Sequence, residues 1–112
     1  MDLCSLEEVS ERPDKTFNNM DYVHIDIFQN ITDEGASLGD FIKIGSAERA
    51  REYMHEIYHT MTINPGAQAG FSKMIEAALS VSEKNSFLFH CFAGKDRTGV
   101  SAALLLEILD IP

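Results

Sequence analysis

The spacing of apolar residues changes along the chain, and each change marks an element. "DYVHIDIF", residues 21–28, alternates and puts Val23, Ile25 and Ile27 on one face, which predicts a strand. From Ser46 the spacing turns helical, with Ala50, Tyr53, Met54, Ile57, Tyr58 and Met61 forming a stripe and Ser46 placed to cap it. "INPG" breaks that helix, and Pro65 opens a second one whose stripe is Ala67, Phe71, Met74, Ile75, Ala78 and Leu79. "SFLFH" is a short continuous apolar run and predicts a strand, while "TGVSAALLLEIL" is apolar nearly all round and predicts a buried helix. Near the start, "MDLC" reads as the end of a strand. "SLEEVSER" reads as a helical turn capped by Ser5, with Glu8 in the capping-box position, and is ended by Pro13. Gln29 to Gly45 reads as loop with one short helix around Leu38 to Ile42.

Helices before and after a buried strand predict an α/β fold, a small, mostly parallel sheet flanked by helices. Its 112 residues suit one small domain over 1–112, with no repeat, linker or low-complexity tract. The formal charge of −9 comes from scattered acidic residues, which argues against nucleic acid or an anionic membrane as partner. No stretch approaches the roughly 20 apolar residues of a bilayer span, so stable membrane insertion is not expected. The acidic N-terminus lacks the basic region of a signal peptide. Two cysteines, Cys4 and Cys91, are too few for a disulfide framework, and a reducing cytoplasm is the simpler setting.

The chemistry concentrates in "HCFAGKDRTG", residues 90–99. If a strand ends at His90 and a helix begins near Thr98, the loop between them must turn sharply at the helix N-terminus. The backbone N–H groups of Phe92, Ala93, Gly94, Lys95, Asp96 and Arg97 can then face one centre, a cradle for a tetrahedral oxyanion. Gly94 permits the turn, and Arg97 offers two parallel donors to two phosphate oxygens. Cys91 lies at the bottom of the cradle, where a helix N-terminus and nearby cations lower the pKa of a thiol. A thiolate under a bound phosphate is a nucleophile aimed at phosphorus, giving a cysteinyl-phosphate that water hydrolyses. Thr98 is placed to donate a hydrogen bond to the sulfur and help it leave.

This signature, His-Cys, five residues, then Arg-Ser/Thr, resembles that of the cysteine-dependent protein tyrosine phosphatases. Its Gly-Lys-Asp-Arg-Thr-Gly form is closest to the bacterial and fungal tyrosine/dual-specificity branch. "DLCSLEEVSERPD" also looks like that branch's "DLR…E…PD" segment, so the resemblance covers nearly the whole chain. It implies Cys91 as nucleophile, Arg97 as phosphate binder and transition-state stabiliser, and Asp96 as general acid. Lys95 becomes an added positive charge for the substrate, and His90 orients the cysteine loop. The implied substrate is a phosphorylated protein, with phosphotyrosine first and phosphoserine, phosphothreonine or a phosphoinositide as further candidates. The mechanism calls for no cofactor and no metal.

Two departures qualify the resemblance. Cys4 stands where the branch has an arginine, close enough to the site to raise the idea of a disulfide with Cys91. Relatives also continue at both ends, which predicts bared apolar surface at Met1 to Leu6 and on the "VSAALLLEIL" helix, low stability, or self-association through that surface.

Rival readings remain. One is a non-catalytic phosphate-binding fragment. Another is a zinc peptidase built on "HEIYH", His55 to His59, where two histidines four apart on a helix can share a metal. No third ligand is evident, and only three positions of that pattern are fixed. Cys91 could instead be a buried structural cysteine, Lys95 and Asp96 a surface ion pair, and His90 a core histidine. Asp14, Asp26 and Asp33 read as solvated carboxylates, with Asp14 the best candidate for a second acid.

Overall fold

A computed structural model describes residues 1–29 and 45–112. The predicted short helix at 38–42 and Asp33 lie outside the described residues. Among the described residues four helices stand in chain order: α1 (Leu6–Glu11), α2 (Ala47–Ile63), α3 (Pro65–Leu79) and α4 (Asp96–Ile108). Their starts are set by local chemistry. The Ser5 side chain accepts from the Glu8 N–H while the Glu8 carboxylate accepts from the Ser5 N–H, completing the capping box of α1. Ser46 caps α2 by accepting from the Arg49 N–H. Asn64 accepts from the Gly66 and Ala67 N–H groups, with Pro65 in the first turn of α3.

The expected sheet is not there: among the described residues the structure is helical, and strand character is confined to single parallel bridges from Asp2 to His24 and from Asp2 to His90. Met1–Leu3 lies between the other two extended segments. On one side Asp2 N–H donates to Val23 O (2.8 Å) and Ile25 N–H to Asp2 O (2.9 Å). On the other, Leu3 N–H donates to His90 O (2.9 Å) and His90 N–H to Met1 O (3.1 Å). The physical reason lies in the central segment. It turns into the Ser5 cap after Cys4, so few of its residues are free to extend either ladder. Val23–Ile25 and Leu88–His90 flank Met1–Leu3 where strands were expected, but each forms a single bridge, and Ile27 and Phe28 already lie in a turn.

α3 packs between α2 and α4. The core gathers Leu3, Ile25, Ile27, Met61, Ala67, Phe71, Met74 and Cys91. Gly70 lets α3 approach closely, since a Cβ there would meet Ile27 Cδ1 at 3.2 Å and Ile27 Cα at 3.3 Å. Burial along the predicted stripes is uneven. Only Met61 of the α2 stripe is fully covered, and Leu79 ends the α3 stripe in solvent. The reading of the last helix as buried needs correction. Val100, Leu104 and Leu105 pack on the core, while Leu106, Ile108 and Leu109 are exposed. At the N-terminus Asp2, Leu3 and Cys4 are buried and Leu6 is exposed. No helix among the described residues is long and apolar enough to cross a membrane.

Met74 is fully buried at the centre of this core. Met74→Ala should lower unfolding free energy by about 2–5 kcal/mol. Urea titration should show the midpoint falling with an unchanged slope.

Candidate active site

The loop between His90 and α4 is held from three directions. Gly94 takes φ +64°, with nothing within 4 Å of where a Cβ would lie, so the residue answers a backbone requirement and not a lack of space. α4 begins at Asp96, two residues earlier than the expected start near Thr98, and Lys95 occupies its cap position without a side-chain cap bond. The helix N-terminus therefore falls within the loop.

Cys91 is buried beneath it, and Thr98 Oγ1 donates to Cys91 Sγ at 3.1 Å. Burial pushes the thiol pKa up. The Thr98 hydroxyl, the backbone N–H groups of Thr98 and Lys95 and the Arg97 charge outweigh it, and the pKa lies below the ordinary thiol value.

Arg97 is buried too, and its partners fix its orientation. Nη1 donates to Glu8 Oε2 (2.8 Å) and to Leu3 O (3.1 Å), and Nη2 donates to Glu8 Oε1 (2.9 Å). The guanidinium also lies over the Phe28 ring, 5.5 Å from its centroid. Five N–H donors are available and three are used. The Nε–H and the remaining Nη2–H, which form a fork along one edge of the group, have no partner among the described residues. Burial raises the Glu8 carboxyl pKa, but the Arg97 bonds and the Ser5 N–H outweigh it and hold it below the ordinary glutamate value.

Asp96 Oδ1 accepts from Tyr58 Oη (2.6 Å) and from Lys95 Nζ (2.6 Å). Burial opposes ionisation of Asp96, but Lys95, Tyr58 and Arg97 outweigh it and keep the carboxyl ionised below the usual aspartate value. His90 Nε2 lies 2.6 Å from Asp14 Oδ2, and Nδ1 lies 3.1 Å from Cys91 O. Burial lowers the His90 pKa, yet Asp14, the Cys91 carbonyl and Asp2 raise it above the ordinary value. Phe92 borders the loop, with Arg12 5.4 Å from its ring centroid, and Ala93 and Gly94 are exposed.

The loop thus brings together Cys91, Thr98, Lys95, Asp96, Arg97 and His90. Several readings change with the geometry. Asp14 is no free second acid but the partner of His90. Asp26 is half-buried, and its carboxylate accepts from the Leu6 and Phe28 N–H groups. Glu8, Tyr58 and Asp2 were not read as site residues. Tyr58 was placed in an apolar stripe and Glu8 in a cap. The one sequence signal for Glu8 was its capping-box position, which orients it but does not reveal Arg97 as its partner. His55 and His59 are exposed on α2, and no group of three His, Cys, Asp or Glu donors among the described residues includes either. Cys4 and Cys91 are both free thiols.

Residues 1–112 match the model of a family described as the tyrosine phosphatase family. Over 40 residues the chain is 42% identical to a tyrosine-protein phosphatase of Nostoc commune, covering 36% of this chain and 14% of that protein. Over 64 residues it is 34% identical to the triple specificity protein phosphatase PtpB of Mycobacterium tuberculosis, covering 57% of this chain and 22% of that protein. These matches span a quarter or less of the relatives' length. No solved structure matches the chain.

Glu8→Gln keeps the cap but removes the charge facing Arg97. Leaving one member of a buried pair uncompensated should cost about 3 kcal/mol at neutral pH. A depressed carboxyl pKa contributes stability above the unfolded-state value and loses it as pH falls through the folded one. Wild-type stability should therefore decline through the acidic carboxylate range. The Glu8→Gln chain should lack that part of the slope in urea melts taken across pH.

Proposed function

This chain belongs to the tyrosine phosphatase family, and from that premise we propose that it hydrolyses phosphate monoesters through a cysteinyl-phosphate intermediate. The observation that carries the reading is the Cys91 sulfur held by the Thr98 hydroxyl and loop N–H groups beside an oriented Arg97. In the proposed sequence the Arg97 edge formed by Nε and Nη2 takes two phosphate oxygens while Glu8 and Leu3 hold the opposite side. The Cys91 thiolate attacks phosphorus, and the bond to the ester oxygen breaks. Asp96 is ionised in the free protein, so it serves as acid only once protonated. A dianionic phosphate beside it favours the proton by like charge, and competes for Lys95. Thr98 then stabilises the sulfur as water displaces it from phosphorus. His90, fixed by Asp14, positions the Cys91 carbonyl and with it the loop.

Phosphotyrosine on a protein is the first substrate class. The triple specificity of one relative supports a wider range, with phosphoserine, phosphothreonine and phosphoinositide as the candidates. A reducing, cytoplasmic setting suits a free thiol nucleophile.

Cys91→Ser should abolish turnover of an aryl phosphate while phosphate still raises the melting temperature, because the cradle is backbone and Arg97. Arg97→Lys should lose about a hundredfold to a thousandfold in kcat, since an ammonium cannot supply the fork. Appreciable turnover by the Cys91→Ser chain would overturn the covalent mechanism. Phosphate binding without turnover in the wild type would favour a binding fragment.

Asp96→Asn should slow alkyl phosphates, which need a protonated leaving group, by about a hundredfold or more, and slow a nitrophenyl ester much less. Equal losses on both substrates would mark Asp96 as a positioning residue.

A further inference from the structure

Beside the phosphate cradle, three different metal donors converge from two ends of the chain. Asp2 and Cys4 come from the first segment and His90 from the last extended one. One ligand atom from each lies within 4.8 Å of the others. Asp2 and Cys4 are buried and His90 is half-buried. His90 Nε2 stands 4.0 Å from Asp2 Oδ1. Zinc bonds of about 2.0–2.3 Å in a tetrahedron separate ligand atoms by about 3.4–3.6 Å, so the widest pair needs to close by about 1.4 Å at most.

The surroundings already orient this set as an outer shell orients metal ligands. The Cys91 carbonyl faces His90 Nδ1 at 3.1 Å and holds a proton there, so the ring ligates through Nε2 once the ion displaces the proton that Nε2 shares with Asp14. Tyr22 Oη donates to Asp2 Oδ2 at 2.6 Å, which holds the carboxylate by its far oxygen and turns Oδ1 toward His90. Asp14 Oδ2, 2.6 Å from His90 Nε2 and partly exposed, lies outside this set of three, which leaves the fourth position to a water molecule from the solvent side.

We propose that Asp2, Cys4 and His90, with water in the fourth position, form a binding site for a divalent transition metal, zinc being the best fit. A mixed sulfur, nitrogen and oxygen set of this size suits zinc over magnesium or calcium, which take oxygen ligands in larger numbers. Binding releases the Cys4 thiol proton, and any proton on Nε2, to solvent. The ion then replaces the direct contact of His90 with Asp14. It plays no part in phosphoryl transfer. It would tie the first segment to the residue that precedes Cys91. The inference is independent of the proposed phosphatase chemistry, so its test reads metal binding and not turnover.

The experiment is titration of the full chain with Co²⁺, followed by displacement with Zn²⁺, read by absorption. The wild type and Cys91→Ser should both develop a thiolate-to-cobalt charge-transfer band and the visible bands of tetrahedral cobalt, and zinc should erase them. Cys4→Ser should lose the charge-transfer band, and Asp2→Asn should bind at least tenfold more weakly. Absence of the charge-transfer band from folded Cys91→Ser would overturn the proposal, whether or not the Cys4→Ser chain folds. So would its persistence in folded Cys4→Ser, because the ion would then sit on the Cys91 thiolate.

Discussion

The paired bonds between Glu8 and Arg97 join the two ends of the described chain and set the geometry of everything between them. Ser5 caps α1, the cap orients the Glu8 carboxylate, and the carboxylate takes one edge of the Arg97 guanidinium. Leu3 O takes a further N–H, and the edge facing away from Glu8 is left for a ligand. A buried ion pair of this kind is weak evidence of net stability, because desolvating both charges costs nearly what their attraction returns. Its effect is positional. It fixes the first turn of α4 against α1, and so fixes where the loop places the Cys91 sulfur and the N–H groups that act on it.

What could be read in the sequence was what is local. Ser5 with Glu8, Ser46 and Pro65 mark helix starts because caps act within one turn. The Cys91 to Thr98 loop is legible because its chemistry lies in consecutive residues. What could not be read depends on distant partners. Glu8 is 89 residues from Arg97, Asp14 76 from His90, and Tyr58 38 from Asp96. Nothing in the spacing of carboxylates says which one a buried arginine will take. Single bridges stand in place of the expected sheet for a related reason. Alternation at Val23, Ile25 and Ile27 reports which face is apolar, not how many neighbouring residues are free to pair. In the same way, the apolar run of α4 does not say that Leu106, Ile108 and Leu109 stay in solvent.

The Asp96 cluster shows how neighbours decide a role. The same carboxylate would be a surface charge alone, but it is clamped by a phenol from α2 and by the ammonium of the preceding residue. Its proton affinity is therefore set by whatever else Lys95 is doing. In the proposed mechanism an anion that draws the lysine away also frees the carboxyl to accept a proton, so charge on the substrate and acidity of the site would be linked.

The hydrogen bonds on the two flanks of Met1–Leu3 also carry a kinetic meaning. The contact to His90 closes a loop of nearly the whole chain, whereas α2 and α3 are neighbours in sequence and can pair early. Closure over such a span is slow to form, although the burial of Asp2 and Leu3 holds it once made. The cysteine loop borrows its shape from this late contact. Conditions that detach the first few residues would disarm the loop while the helices remain paired. Chemistry at Cys91 would then report the docking of the chain's first segment well before any measure of helix content registered a change.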